Sequence, residues 1–128
     1  NLFNLELAWL NFHTKQYQKS LKNLSIIELN DYNFYLDSRR ILTKIYYETD
    51  EVDGMFSLLD SFRHYLTRNK LLSKELKKSF LNYIVILNKL FRIRIGEKEN
   101  LFEVKKMIEE TPFLESKNWL LEKTVELE

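Results

Sequence analysis

The chain has 128 residues, 45% hydrophobic and 30% charged, with a formal net charge of +1. This is globular composition, long enough to bury a core as one domain and too apolar for intrinsic disorder. Two glycines and one proline favour long helices over turn-rich sheets, and the lack of cysteine excludes disulfides and thiolate metal sites.

Leu2 to about Thr14 reads as the first helix, with Leu5, Ala8, Trp9 and Phe12 at helical spacing. After a short break, Tyr17, Leu21, Leu24 and Ile27 mark a second. Asn30 and Asp31 supply turn and capping chemistry before a third helix carrying Phe34, Ile41, Leu42, Ile45 and Tyr46. A fourth carries Val52, Met55, Phe56, Leu59, Phe62 and Leu66. Between these two, Thr49 and Asp50 are the expected N-caps of the fourth, and the short acidic connection makes the pair an antiparallel hairpin.

Ser73 is placed to cap the longest helix, roughly 74–95, whose apolar positions include Leu76, Phe80, Tyr83, Ile84, Val85, Leu87, Leu90 and Phe91. They wrap well beyond one stripe, so this helix should pack from two sides. Gly96 suits the C′ position, Leu101, Val104 and Ile108 define a sixth helix stopped by Pro112, and a seventh carries Trp119, Leu120 and Val125. Seven helices and no strand are predicted, with breaks near 14–16, 28–31, 49–51, 69–73, 96–98 and 111–115. Leu42, Ile45, Leu59, Phe62, Phe80, Ile84 and Leu87 are expected in one contiguous core. The longest uncharged run, 79–88, is ten residues, about half of what a bilayer span needs. The start at Asn1, without initiator Met or a clear cap, reads as part of a longer chain. No targeting segment is visible, so the expected compartment is the cytoplasm.

Charge is unevenly spread. Residues 1–61 hold six basic and nine acidic side chains, a net of −3; residues 62–95 hold nine basic against Glu75 alone, a net of +8; residues 96–128 return to −4. The basic set is Arg63, Arg68, Lys70, Lys74, Lys77, Lys78, Lys89, Arg92 and Arg94. Interleaved with Phe80, Tyr83 and Phe91, it offers an alternative function: binding of nucleic acid or another polyanion.

Chemistry-bearing motifs are few. His13 and His64 lie on different helix pairs without cysteine or an obvious carboxylate partner, so no metal is expected. The two glycines are 42 residues apart and form no phosphate loop. Placing Gly54 at the sixth position of a calcium loop puts Thr49 first and Asp60 twelfth, where Asp and Glu are wanted. No catalytic residue, cofactor or enzyme activity is expected.

A repeat runs through the helical register. Leu7, Ala8, Tyr17, Ser20, Leu24 and Ile27 mix small and large side chains at helical spacing, and Leu42, Thr43, Tyr46, Val52, Met55 and Leu59 repeat much of the pattern 35 residues later. A third copy, with Phe91, Leu101, Val104 and Ile108, is looser. Over residues 1–66, and weakly beyond, the chain resembles tetratricopeptide-repeat proteins. Thr43 stands where that family has a small residue, and Tyr32 where it commonly has proline between repeats.

The resemblance implies an all-α, right-handed stack of antiparallel helix pairs at about 1–29, 31–69 and 73–111, with a capping helix at 114–127. It implies a non-catalytic scaffold that binds a protein or peptide on the concave face lined by the first helix of each pair. The corresponding groove positions are Leu2, Leu5, Trp9, Phe12 and His13, then Arg40, Lys44 and Tyr47. Two cations beside aromatic rings would suit an extended peptide with an acidic group and an apolar anchor. The family's carboxylate clamp is not reproduced, because Leu5 and Trp9 stand where it uses Lys and Asn. The expected partner is therefore a protein or peptide, with nucleic acid the alternative and no membrane span.

Overall fold

A computed structural model describes residues 1–128. It is all-α: seven helices, α1 (Leu2–His13), α2 (Tyr17–Ile26), α3 (Tyr32–Glu48), α4 (Val52–Arg68), α5 (Lys74–Arg94), α6 (Leu101–Glu110) and α7 (Lys117–Glu126), with no strand. The predicted breaks fall in place, three of them extended, to 27–31, 95–100 and 111–116. No helix is long and apolar enough to cross a membrane. The chain divides into two compact units, Asn1–Met55 and Phe56–Glu128, so the boundary lies inside α4.

In the first unit α1 packs on α2 and α3, and α2 on α3. Small residues set the approach of α1 to α2: Ala8 and Ser20 are both fully buried, and the Ser20 hydroxyl donates to the Ala8 carbonyl at 2.7 Å. Phe12 meets Tyr17 across the turn with ring centroids 6.0 Å apart, so the pair runs antiparallel. Leu24, Ile27, Leu36, Ile41, Leu42, Ile45, Tyr47 and Met55 are buried with them. Asp31 caps α3 as expected, its carboxylate accepting from the Asn33 N–H at 2.7 Å.

Two turns in this unit are built alike. At 14–16, the Thr14 hydroxyl donates back to the Leu10 carbonyl at 3.1 Å, Lys15 is left-handed at φ 61°, and the Gln16 N–H reaches the Asn11 carbonyl at 2.7 Å. At 49–51, the Thr49 hydroxyl donates to Ile45 at 2.8 Å, Asp50 has φ 55°, and the Glu51 N–H reaches the Tyr46 carbonyl at 3.0 Å. Both are Schellman closures, in which a left-handed residue lets the chain satisfy the last helical carbonyls. The expected N-capping role of Thr49 and Asp50 is therefore corrected. Both residues finish α3, and it is the Glu51 carbonyl that accepts the first bond of α4, from Met55, at 2.8 Å. A three-residue turn needs one left-handed residue, and Asp tolerates that conformation better than most.

In the second unit the remainder of α4 packs against α5 through ring pairs. Phe56 and Phe91 have centroids 5.6 Å apart and Phe62 and Phe80 5.7 Å, an antiparallel pairing. The other side of α5 is covered by α6 and α7, which also touch each other. This explains why Tyr83, Ile86 and Leu90 are buried as well as Phe80, Ile84, Leu87 and Phe91. Leu76 and Val85, expected on the apolar surface of this helix, are exposed instead: nine residues apart, they lie on opposite sides of it, Leu76 in the first turn and Val85 on the wall of an open groove. Gly96 closes α5 at φ 93°, with the Glu97 N–H on the Arg92 carbonyl at 2.8 Å. Asn100 caps α6 through the Glu103 N–H at 3.1 Å. The 111–116 loop is tied to α5, where Asn82 donates to the Phe113 carbonyl at 2.8 Å and the Glu115 N–H to Ser79 at 3.2 Å.

Candidate functional site: a tryptophan cleft and a divided basic surface

Leu5, Glu6 and Trp9 lie on one face of α1 because their spacings are three and four residues; the same spacing gathers Asp37, Arg40 and Ile41 on α3. Together they line an open cleft of about 270 Å³ in the first unit. Trp9 is 42% exposed. The Lys44 ammonium lies 5.2 Å from the Trp9 ring centroid, within cation–π reach, and His13 meets the same ring edge-on at 4.2 Å. Arg40 donates to the Asp37 carboxylate.

Of the eight groove positions expected from sequence, Leu5, Trp9 and Arg40 line the cleft, Lys44 and His13 contact Trp9, and Leu2 is exposed without lining it. Lys44 is only 4% exposed, so its stem is packed and its charge acts through the ring. Phe12 and Tyr47 are buried and present no surface. They occupy the same position near the ends of α1 and α3, two residues before the threonine of each closing turn. Phe12 turns toward Tyr17 of its own hairpin there. Sequence reasoning also missed Glu6 and Asp37. Each stands one turn before a residue it did find, and that spacing was the available signal. With both carboxylates in the wall, the cleft carries mixed charge, not the pair of unopposed cations expected. Next to it, burial holds the Arg39 guanidinium below its ordinary pKa, against the raising influence of Tyr35 and Tyr46, and its cation lies 5.8 Å from the Tyr35 ring.

The basic segment is divided along α5. Near its C-terminal end Arg92 stacks 4.7 Å from the Phe56 ring centroid and donates to Asn88 at 3.1 Å and to Glu97 at 3.0 Å. Arg92, Lys89 and Arg63 share a groove of about 480 Å³ with Asp60 and Glu99. Arg63 is paired with Asp60 at 3.0 Å, and His64 lies 3.6 Å from the same carboxylate. Arg94, in the last turn of α5, is half-buried. At the other end stand Arg68, Lys70, Lys74, Lys77 and Lys78, with Lys78 5.8 Å from the Phe113 ring. The helix between Lys74 and Arg92 is roughly 27 Å long at ~1.5 Å per residue. One +8 segment in sequence is thus two clusters in space. No group of three or more His, Asp or Glu side chains is gathered where it could hold a metal ion.

Compared with models of known families, with curated proteins and with solved structures, the chain matches none.

Proposed function

We propose that this chain is a non-catalytic scaffold of tetratricopeptide-like stacked hairpins that binds a protein or peptide through the α1–α3 cleft. The observation that carries the reading is Trp9: a large aromatic side chain, half exposed beside a concave site and fixed by Lys44 and His13. Rigid, partly exposed aromatics beside an Arg are the residues that most often dominate binding energy. The cleft volume, about 270 Å³, falls just below the roughly 300–1,000 Å³ of small-molecule sites. It has room for one apolar anchor, with Arg40, Asp37 and Glu6 to meet charges of either sign on flanking residues. The duplicated turn supports the stacked-hairpin reading, because it repeats at the period of the apolar pattern.

The test is selection of displayed random peptides on the 128-residue chain, followed by titration of the enriched peptides against Trp9→Ala and Arg40→Ala. Loss of tenfold or more in affinity with Trp9→Ala, and a smaller loss with Arg40→Ala, is expected. Enriched peptides that bind both variants as they bind the parent would refute the cleft as the binding site.

A further inference from the structure

The five residues between α4 and α5 form a fixed corner. The Asn69 side-chain oxygen accepts from the Leu71 N–H at 2.7 Å and the Leu72 N–H at 3.2 Å, while its amide donates to the Tyr65 hydroxyl at 3.1 Å. From the first turn of α5, the Lys77 ammonium donates to the Asn69 carbonyl at 2.7 Å. Leu72 is buried under the corner. The neighbouring Leu71 is held outward, 78% exposed, more than any other large apolar side chain of the protein. A single exposed leucine is ordinary on a protein surface. The surroundings of this one are not ordinary. Arg68 and Lys70 precede it, Lys74 and Lys78 follow one turn apart, and all four are exposed. Glu75 is the one carboxylate in the segment, and neither Arg68, Lys70 nor Lys74 is held in an ion pair.

We infer that this corner docks the protein on an anionic lipid surface, Leu71 entering the boundary between headgroups and acyl chains while Arg68, Lys70, Lys74 and Lys78 meet lipid phosphates. A cluster of four or more cations is what an anionic leaflet attracts, and an apolar apex is what lets a peripheral protein reach below the headgroups. A nucleic acid uses the cations but gains nothing from a protruding leucine, and it calls for exposed rings on which bases stack. Here Phe62, Phe80 and Tyr83 are buried, Tyr65 is half-buried with its hydroxyl engaged by Asn69, and the exposed Phe113 already has the Lys78 ammonium 5.8 Å from its ring. The site is independent of the Trp9 cleft.

Vesicle co-sedimentation tests the inference. The 128-residue chain is mixed with phosphatidylcholine vesicles, pure or containing one part in three of phosphatidylserine. Binding to the anionic vesicles alone is expected, weakening about fivefold for Lys70→Gln and again for Lys74→Gln. Leu71→Ser should weaken it about tenfold. All three positions are exposed, and circular dichroism melts verify that each variant keeps its fold. Absence of anionic-vesicle binding by the parent chain would overturn the proposal. So would Leu71→Ser binding as the parent does. The proposal also fails if an oligouridylate or duplex DNA binds the parent more tightly than the vesicles, with a dependence on Lys70 and Lys74 but none on Leu71. That result would assign the corner to nucleic acid.

Discussion

Phe62 offers the sharpest test of how the second unit is held together. Its ring is fully buried, and it meets Phe80, itself 2% exposed, at 5.7 Å between centroids. Burying a phenylalanine contributes about 1.5–3 kcal/mol. Truncation to alanine also leaves a cavity, so Phe62→Ala should cost ~3–5 kcal/mol. Set against a typical stability of about 5–15 kcal/mol, that loss is large enough to show plainly in denaturant. Part of the cost belongs to the pair. The cycle Phe62→Leu, Phe80→Leu and their double variant should return a coupling of about 0.5–1.5 kcal/mol, the share due to ring-on-ring geometry. Urea unfolding read from Trp119 fluorescence, in a Trp9→Phe background, confines the signal to this unit. A shift under about 1 kcal/mol for Phe62→Ala would refute the enclosed ring. So would a coupling of zero, since the two rings would then not touch.

Other expectations follow from burial and backbone geometry. Leu59, buried on α4, should cost ~2–5 kcal/mol on truncation to alanine, measured in the same urea titration. Lys15→Gly should raise stability by about 0.5–1 kcal/mol, since glycine relieves the left-handed strain at φ 61° and returns part of the gain as unfolded-state entropy. Gly96→Ala should cost about 1 kcal/mol, and through strain alone, because a methyl group there meets nothing within 4 Å while φ stays at 93°. Gly54→Ala acts differently: the added carbon comes within 3.2 Å of the Tyr46 ring, so thermal melts report whether that ring yields. A drop in melting temperature is expected, because helix propensity favours alanine by only ~1 kcal/mol and the contact opposes it.

The helices were legible because periodicity and punctuation agreed. Asp31, Ser73 and Gly96 do locally what their residue types predispose them to do. Thr49 and Asp50 were misread because the same two residue types serve the end of one helix as well as the start of the next. Only the backbone, with Asp50 left-handed, separates the two roles. The cleft was half legible. Trp9 and Arg40 came from repeat register, but register assigns a face and not a depth. It could not tell that Phe12 and Tyr47 turn inward while Trp9 stays partly exposed. The basic segment misled for a related reason. Counting charge along the chain ignores that Lys74 and Arg92 stand at opposite ends of a helix. Leu71 was invisible beside Leu72, because two adjacent leucines look equivalent until Asn69 fixes which of them faces out.

The two closing turns of the first unit carry a lesson about how this chain stores information. Position 15 is a lysine and position 50 an aspartate, 35 residues apart and opposite in charge, yet both hold the same left-handed angle and close the same pair of bonds. A letter-by-letter alignment scores that pair as a reversal, whereas the backbone treats it as a synonym. The message being copied is a dihedral angle, with a threonine before it to tie off the helix, and the alphabet that spells it is degenerate. Exchanging the tripeptides Thr14-Lys15-Gln16 and Thr49-Asp50-Glu51 should therefore read as a silent edit in the structure, even as it moves charge from one turn to the other.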